Sequence, residues 1–276
     1  MTDRPAPLVR LGARIARLGA PLCLGIDPHP DSLPDELSRD VAGVETFARG
    51  LLEAAAEHAA AIKVNVAFFE AFGSAGWAAL ERLVGDVPDD HVLLLDAKRG
   101  DIGTTAERYA TSLFGHLGAD AVTLSPYLGE DAIEPFLAYP GRLVFLVVRT
   151  SNPSAGRLQD LPVGGAPLHE RVASWAASTW PDGRVGLVVG ATAPAELLRL
   201  RQLVPGPGFL VPGVGAQGGD IGEALASCHG TAAPGLVSIS RGIAAASRGE
   251  DWRAAAAAAA QAWLGRLQEA GATLPA

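Results

Sequence analysis

Eight short apolar runs recur along the chain at intervals of about 30 residues, most ending in a polar or charged residue and followed by a helix-compatible stretch. They begin at Leu22, Ala61, His91, Ala121, Arg142, Val185, Phe209 and Leu236. Continuous aliphatic runs suit strands buried on both faces, as in a parallel sheet covered by helices. The interval is that of a βα unit, and eight such units predict an α/β chain folded as a (β/α)8 barrel, with 1–276 as a single domain. A doubly wound open sheet would use the same alternation. Charge placement favours the barrel: Asp27, Lys63, Asp96, Lys98, Ser151 and Arg241 all fall at or just past the C-terminal end of an expected strand, where barrels gather their active sites. Before the first strand, residues 8–18 alternate apolar side chains with Arg10, Arg14 and Arg17, predicting an amphipathic helix over the barrel bottom. Residues 151–167, rich in turn formers, read as a loop long enough to close over a site.

The third run ends in Asp96-Ala-Lys98-Arg-Gly-Asp101. Strand alternation puts Asp96 and Lys98 on one side, with Asp101 beyond the strand end. Only two of the 22 basic residues, Lys63 and Lys98, are lysine, and both sit at strand positions. Arginine keeps its proton in proteins whereas lysine can release one, so the choice points to proton transfer.

The net charge of −8 and the lack of a basic cluster argue against nucleic acid or an anionic membrane as partner. Two cysteines, Cys23 and Cys228, are too few for a disulfide framework or a thiolate metal site. The six histidines show no metal-binding spacing, so no metal is expected. No stretch of about 18 residues is both uncharged and continuously apolar, and the first residues lack an apolar signal core, so a cytoplasmic location is expected.

Gly213-Val-Gly-Ala-Gln217-Gly218 matches a dinucleotide fingerprint, but it follows the seventh strand, and the region about 20 residues on contains no acid for a ribose hydroxyl. Loops after the seventh and eighth barrel strands often bind phosphate instead, and Gly213–Gly219 with Ser240-Arg241-Gly242 supplies both. Arg241 offers a bidentate charge partner and Gln217 a donor.

The stretches LGIDPHP, AIKVNVAFFEAFG, LLLDAKRGDIGTTA, LSPYLG, VVRTSNPSA, VPGVGAQGG and SISRGI, in order between residues 22 and 243, resemble the orotidine 5′-phosphate decarboxylase family, in particular its longer bacterial branch. The resemblance implies a lyase of pyrimidine biosynthesis that converts orotidine 5′-phosphate to UMP and CO2 with no metal and no organic cofactor. It further implies a homodimer with shared sites. Lys63, Asp96, Lys98 and Asp101 would form a charged array, with Asp101 and Thr105 reaching the neighbouring subunit's site. Asp27 and Lys63 would bind ribose hydroxyls, Ser151 and Gln217 the pyrimidine, and Gln217, Gly218 and Arg241 the phosphate. Pro212 and Ile102 would line an apolar wall near the leaving carboxylate. Lys98 would stabilise the C6 carbanion and protonate it. The nearest rival is a Mg2+-dependent sugar-phosphate decarboxylase or synthase on the same barrel, which would need a further acidic ligand; Glu70 lies past the second strand, but no acid adjoins Lys63.

Overall fold

Eight parallel strands close into a barrel in the computed structural model, which describes residues 4–192, 194–215 and 218–273. The strands are β1 (Leu22–Ile26), β2 (Ala61–Asn65), β3 (Val92–Arg99), β4 (Ala121–Leu124), β5 (Leu143–Arg149), β6 (Val185–Val189), β7 (Phe209–Pro212) and β8 (Leu236–Ile239). Each pairs with its neighbours in sequence, and β1 closes the ring against β8 through Leu22 opposite Val237. The aliphatic runs face two ways, as double burial requires. One set, including Cys23, Leu94, Phe145 and Leu210, fills the barrel interior; the other, including Leu24, Ile62 and Leu146, packs under the helices.

The helices are α1 (Pro7–Leu18), α2 (Val41–Ala55), α3 (Gly73–Gly85), α4 (Gly103–Ala110), α5 (Leu168–Thr179), α6 (Pro194–Leu203), α7 (Ile221–Ser227) and α8 (Trp252–Ala272), with shorter turns between them. Asp40 caps α2 by accepting from the N–H groups of Ala42 and Gly43, and Asp220 caps α7 by accepting from Glu223 N–H. The helix after β3 runs on from α4 into a π-helical turn at Thr111–His116. Residues 151–167 are more ordered than a plain loop: they hold a helical turn, Gly156–Gln159, and a small antiparallel pair, Pro162–Val163 with Ala166–Pro167.

The N-terminal helix closes the barrel bottom, although not with a solvated polar face. Leu11 joins the interior core, while Arg10 and Arg14 are buried as well. Arg10 donates to the carbonyl of Asp89 and pairs with Asp120, itself 1% exposed; Asp120 also accepts from Arg142 and from the Leu93 N–H. Arg14 donates to the Ala59 carbonyl and pairs with Asp90. The arginines therefore satisfy strand-end carbonyls that a hydrocarbon plug would leave bare.

Arg10→Met removes one of the cations that neutralise a buried carboxylate. It should lower unfolding free energy by about 3 kcal/mol, measured by urea titration, because an incompletely paired buried charge remains.

Candidate active site

Three adjacent strands bring four charges into one line at the C-terminal end of the barrel. Lys63, on β2, donates through Nζ to Asp27 Oδ1 at 3.1 Å and to Asp96 Oδ2 at 3.4 Å. Lys98 Nζ donates to Asp96 Oδ1 at 2.5 Å. Signs thus alternate from Asp27 through Lys63 and Asp96 to Lys98, and the two oxygens of Asp96 each face a different lysine.

The lysines differ in setting. The Lys63 side chain is 6% exposed and that of Lys98 is 50% exposed. Burial alone would push the Lys63 ammonium towards deprotonation, but attraction to Asp27 and Asp96 outweighs it and raises its pKa above the ordinary lysine value. Proton transfer therefore does not account for a lysine at position 63, which stays a fixed cation. Burial tends to raise the Asp96 pKa, yet Lys63, Lys98 and the Thr123 hydroxyl hold it below the usual carboxylate range. Below them Cys23 is fully buried, and burial pushes its thiol up to about 12 despite the nearby Lys63 cation.

Simple alternation along β3 does not bring Asp96 and Lys98 together. The pairing of β3 with β4 shifts register between Leu95 and Arg99, and Lys98 has φ +45°, the one non-glycine residue with positive φ among the described residues. Such a conformation is disfavoured for a side chain bearing a Cβ. Here the N–H groups of Ala97 and Lys98 both donate to Thr123 Oγ1 at 3.0 Å, which offsets ladder bonds lost in the bulge.

These groups open on a cavity of about 430 Å³, walled by Thr150, Ser151 and Asn152 on one side and by Val188, Leu210 and Pro212 on another. Arg241, Gly242, Gly213 and Val214 form its far end. A hollow of about 830 Å³ at the opposite end of the barrel is larger, but Arg14, Arg17 and Arg49 on its rim are paired with Asp90 or Asp86, and it holds no line of alternating charges.

The far-end loops share one support. Trp263, on α8, donates its indole N–H to the Gly242 carbonyl, and its ring lies where a Cβ on Gly215 would come within 2.5 Å. Gly215 also has φ +77°, so both space and backbone demand glycine there. Arg241 is exposed and makes no ion pair with a described residue.

Of the residues singled out in the sequence, Asp27, Lys63, Asp96, Lys98, Ser151, Pro212 and Arg241 line this cavity. Gly218 is exposed beyond the lining, and Gln217 lies outside the described residues. Ile102, expected on the apolar wall, is 55% exposed and, with Asp101 and Thr105, stands outside the cavity of its own chain. Asp101 accepts only the adjacent Ile102 N–H among the described side-chain bonds. Thr123, Thr150 and Asn152 also line the cavity and were passed over in the sequence; nothing but their placement at or near strand ends could have marked them. Among the described residues, no group of three or more His, Cys, Asp or Glu side chains is placed to hold a metal ion.

A profile of the Orotidine 5′-phosphate decarboxylase / HUMPS family matches residues 20–258. The chain belongs to the orotidine 5′-phosphate decarboxylase family. A curated family member from Roseiflexus castenholzii, named orotidine 5′-phosphate decarboxylase, is 51% identical over 243 residues, covering 87% of this chain and 89% of the relative. One of the same name from Thermomicrobium roseum is 45% identical over 260 residues, covering 90% and 91%. Among solved structures, a putative orotidine-monophosphate-decarboxylase from Toxoplasma gondii superimposes with a TM-score of 0.85 at 37% identity, covering 96% of each chain. OMP decarboxylase from Leishmania donovani gives 0.81 at 40%, covering 96% and 99%. The charged line of this family member thus sits in a barrel shared over nearly its whole length.

With only two lysines, the side-chain ammonium signals can be followed separately by NMR. Asp96→Asn should shift the Lys63 ammonium resonance at neutral pH, since one of the two carboxylates that contact it is neutralised. An unmoved signal would show that Asp27 alone sets its surroundings.

Proposed function

We propose that the cavity binds orotidine 5′-phosphate with its pyrimidine over Lys98 and its phosphate at the loops after β7 and β8. The enzyme decarboxylates this substrate to UMP and CO2, the step that yields UMP in pyrimidine nucleotide synthesis. The observation that carries the assignment of roles is the unbroken Asp27–Lys63–Asp96–Lys98 line opening on the cavity.

When the bond from C6 to the carboxyl carbon breaks, CO2 leaves without the electron pair, which stays on C6. A carbanion with little ring delocalisation needs preorganised positive charge. Lys98 supplies it: its ammonium is held by Asp96, faces the cavity, and delivers a proton to C6. Asp96, kept ionised by its neighbours, repels the substrate carboxylate, and that repulsion is relieved as neutral CO2 forms. Lys63 stays a cation throughout, binding a ribose hydroxyl together with Asp27 and fixing the second oxygen of Asp96. Ser151 meets the pyrimidine and Pro212 its apolar edge, while Arg241, Gly218 and Gln217 take the phosphate. Binding energy from that remote phosphate supports closure of 151–167 over the ring. No metal or organic cofactor has a part in this scheme, and a cytoplasmic location suits the substrate.

Asp101, Ile102 and Thr105 act in the site of a second subunit. The support for this is their position outside their own cavity and an exposed apolar surface beside them: Tyr109, Tyr127, Leu128, Leu158, Leu161 and Val163 follow the neighbouring strands β3, β4 and β5 and are all at least 36% exposed. Isolated exposed apolar residues are ordinary; this many on consecutive loops suits a homodimer face.

Lys98→Ala should reduce turnover of orotidine 5′-phosphate by about a thousandfold or more while UMP affinity stays within about tenfold, as expected for a residue acting on the developing carbanion. EDTA should leave the wild-type rate unchanged; loss of activity would instead favour the Mg2+-dependent reading. Mixing inactive Lys98→Ala and Asp101→Ala subunits should restore about a quarter of the wild-type sites, because a mixed dimer carries both changes in one site and neither in the other. No recovery in a mixture shown to exchange subunits would place Asp101 in its own chain's site.

A further inference from the structure

The residue that most tightly constrains the reactive end of β3 is none of the charged ones. Thr123, on β4, is 1% exposed and lines the cavity beneath Asp96 and Lys98. Its hydroxyl is fully used. Oγ1 accepts from the N–H groups of Ala97 and Lys98, both at 3.0 Å, and donates its own proton to Asp96 Oδ1 at 2.9 Å. A hydroxyl has one proton and two lone pairs, so nothing is left over.

Each bond fixes a different variable. The two accepted bonds hold the β3 bulge, where Lys98 sits at φ +45°. From that left-handed turn the Lys98 ammonium reaches 2.5 Å from the Asp96 carboxylate. The donated bond fixes the rotation of the Asp96 carboxyl, so that Oδ1 serves Lys98 and Oδ2 serves Lys63. Valine has the same shape but would leave two part-buried N–H groups without their acceptor and the carboxylate without a donor.

We propose that Thr123 is the positioning residue of the site: through its hydroxyl it sets the backbone turn that aims Lys98 at the substrate and the orientation of Asp96 between the two lysines. The proposal rests on the decarboxylase reading of the cavity, and Thr123 touches no reacting atom. Its removal should therefore act on the chemical step. Displacing a catalytic group by about 1 Å commonly costs about a hundredfold in rate.

Thr123→Val should lower kcat for orotidine 5′-phosphate about a hundredfold, with KM and the UMP dissociation constant within about threefold. The acid limb of its kcat profile should move to higher pH, because Asp96 loses one of the groups that lower its pKa. Thr123→Ser, which keeps the hydroxyl, should recover kcat to within about threefold of wild type. If the valine variant does not fold, Thr123→Ala, whose vacated space admits a water to the same N–H groups, is judged by the same split between kcat and KM. A folded valine or alanine variant with more than about a third of wild-type kcat overturns the proposal. So does equal loss of kcat and UMP affinity, which a general collapse of the site would give. Independently of turnover, Thr123→Val must shift the Lys98 Nζ resonance, and an unmoved signal overturns the positioning role. An inactive wild type with a shifted signal would reject the decarboxylase reading while leaving the Thr123 geometry standing.

Discussion

The buried ammonium of Lys63 is the charge around which the rest of the site is arranged. Taking an isolated ammonium out of water costs several kcal/mol, and only anions within contact distance offset that. Asp27 and Asp96 supply them from the strands on either side. Two carboxylates around one cation leave an excess of negative charge, which Lys98 then balances. The register follows from this: Gly25 lies opposite Lys63 and Asn65 opposite Asp96, so a slip of one residue between β1, β2 and β3 would turn these charges away from one another. Barrel closure and charge pairing are in this sense one constraint.

The barrel itself could be read in advance because strands covered on both faces must be aliphatic throughout, and these runs carry few other residues. Their charged exceptions pointed directly to the site. What stayed hidden were features whose residue types have a common, duller use. Thr123 in Ala121-Val-Thr-Leu reads as a β-branched strand filler, and the bulge it stabilises breaks the alternation from which Asp96 and Lys98 were expected to meet. Arg10 and Arg14 form the polar stripe of an amphipathic helix, a stripe normally given to water, whereas here they meet strand-end carbonyls and Asp120. Trp263 lies in an alanine-rich helix about 50 residues after Gly213, and no local pattern shows that its ring supports two glycine loops. The two lysines stood out in the sequence by their scarcity, but only the surroundings of Lys63 show that it keeps its proton.

The two ends of the barrel use polar groups for different purposes. At the N-terminal end, arginines satisfy carbonyls and carboxylates to near completion, and the result is closure. At the C-terminal end, a lysine is held in a disfavoured backbone conformation and Arg241 stands exposed without an ion pair to a described residue. Strain and unspent charge of this kind persist where the surrounding structure over-determines them, and they are what a substrate can use.

The scarcity of lysine has a practical side. Lys63 is sealed inside the barrel, so the half-exposed amine of Lys98 is the only lysine that reagents in solution can readily reach. Acetylation, carbamylation, aldehyde fixation and amine coupling to a support, which on most proteins spread over many surface lysines, would here, the α-amine apart, converge on the group that lines the cavity. A filled cavity would shield it. For this protein, chemical modification of lysine amounts to a titration of the cavity, and attachment to surfaces or dyes is better directed elsewhere.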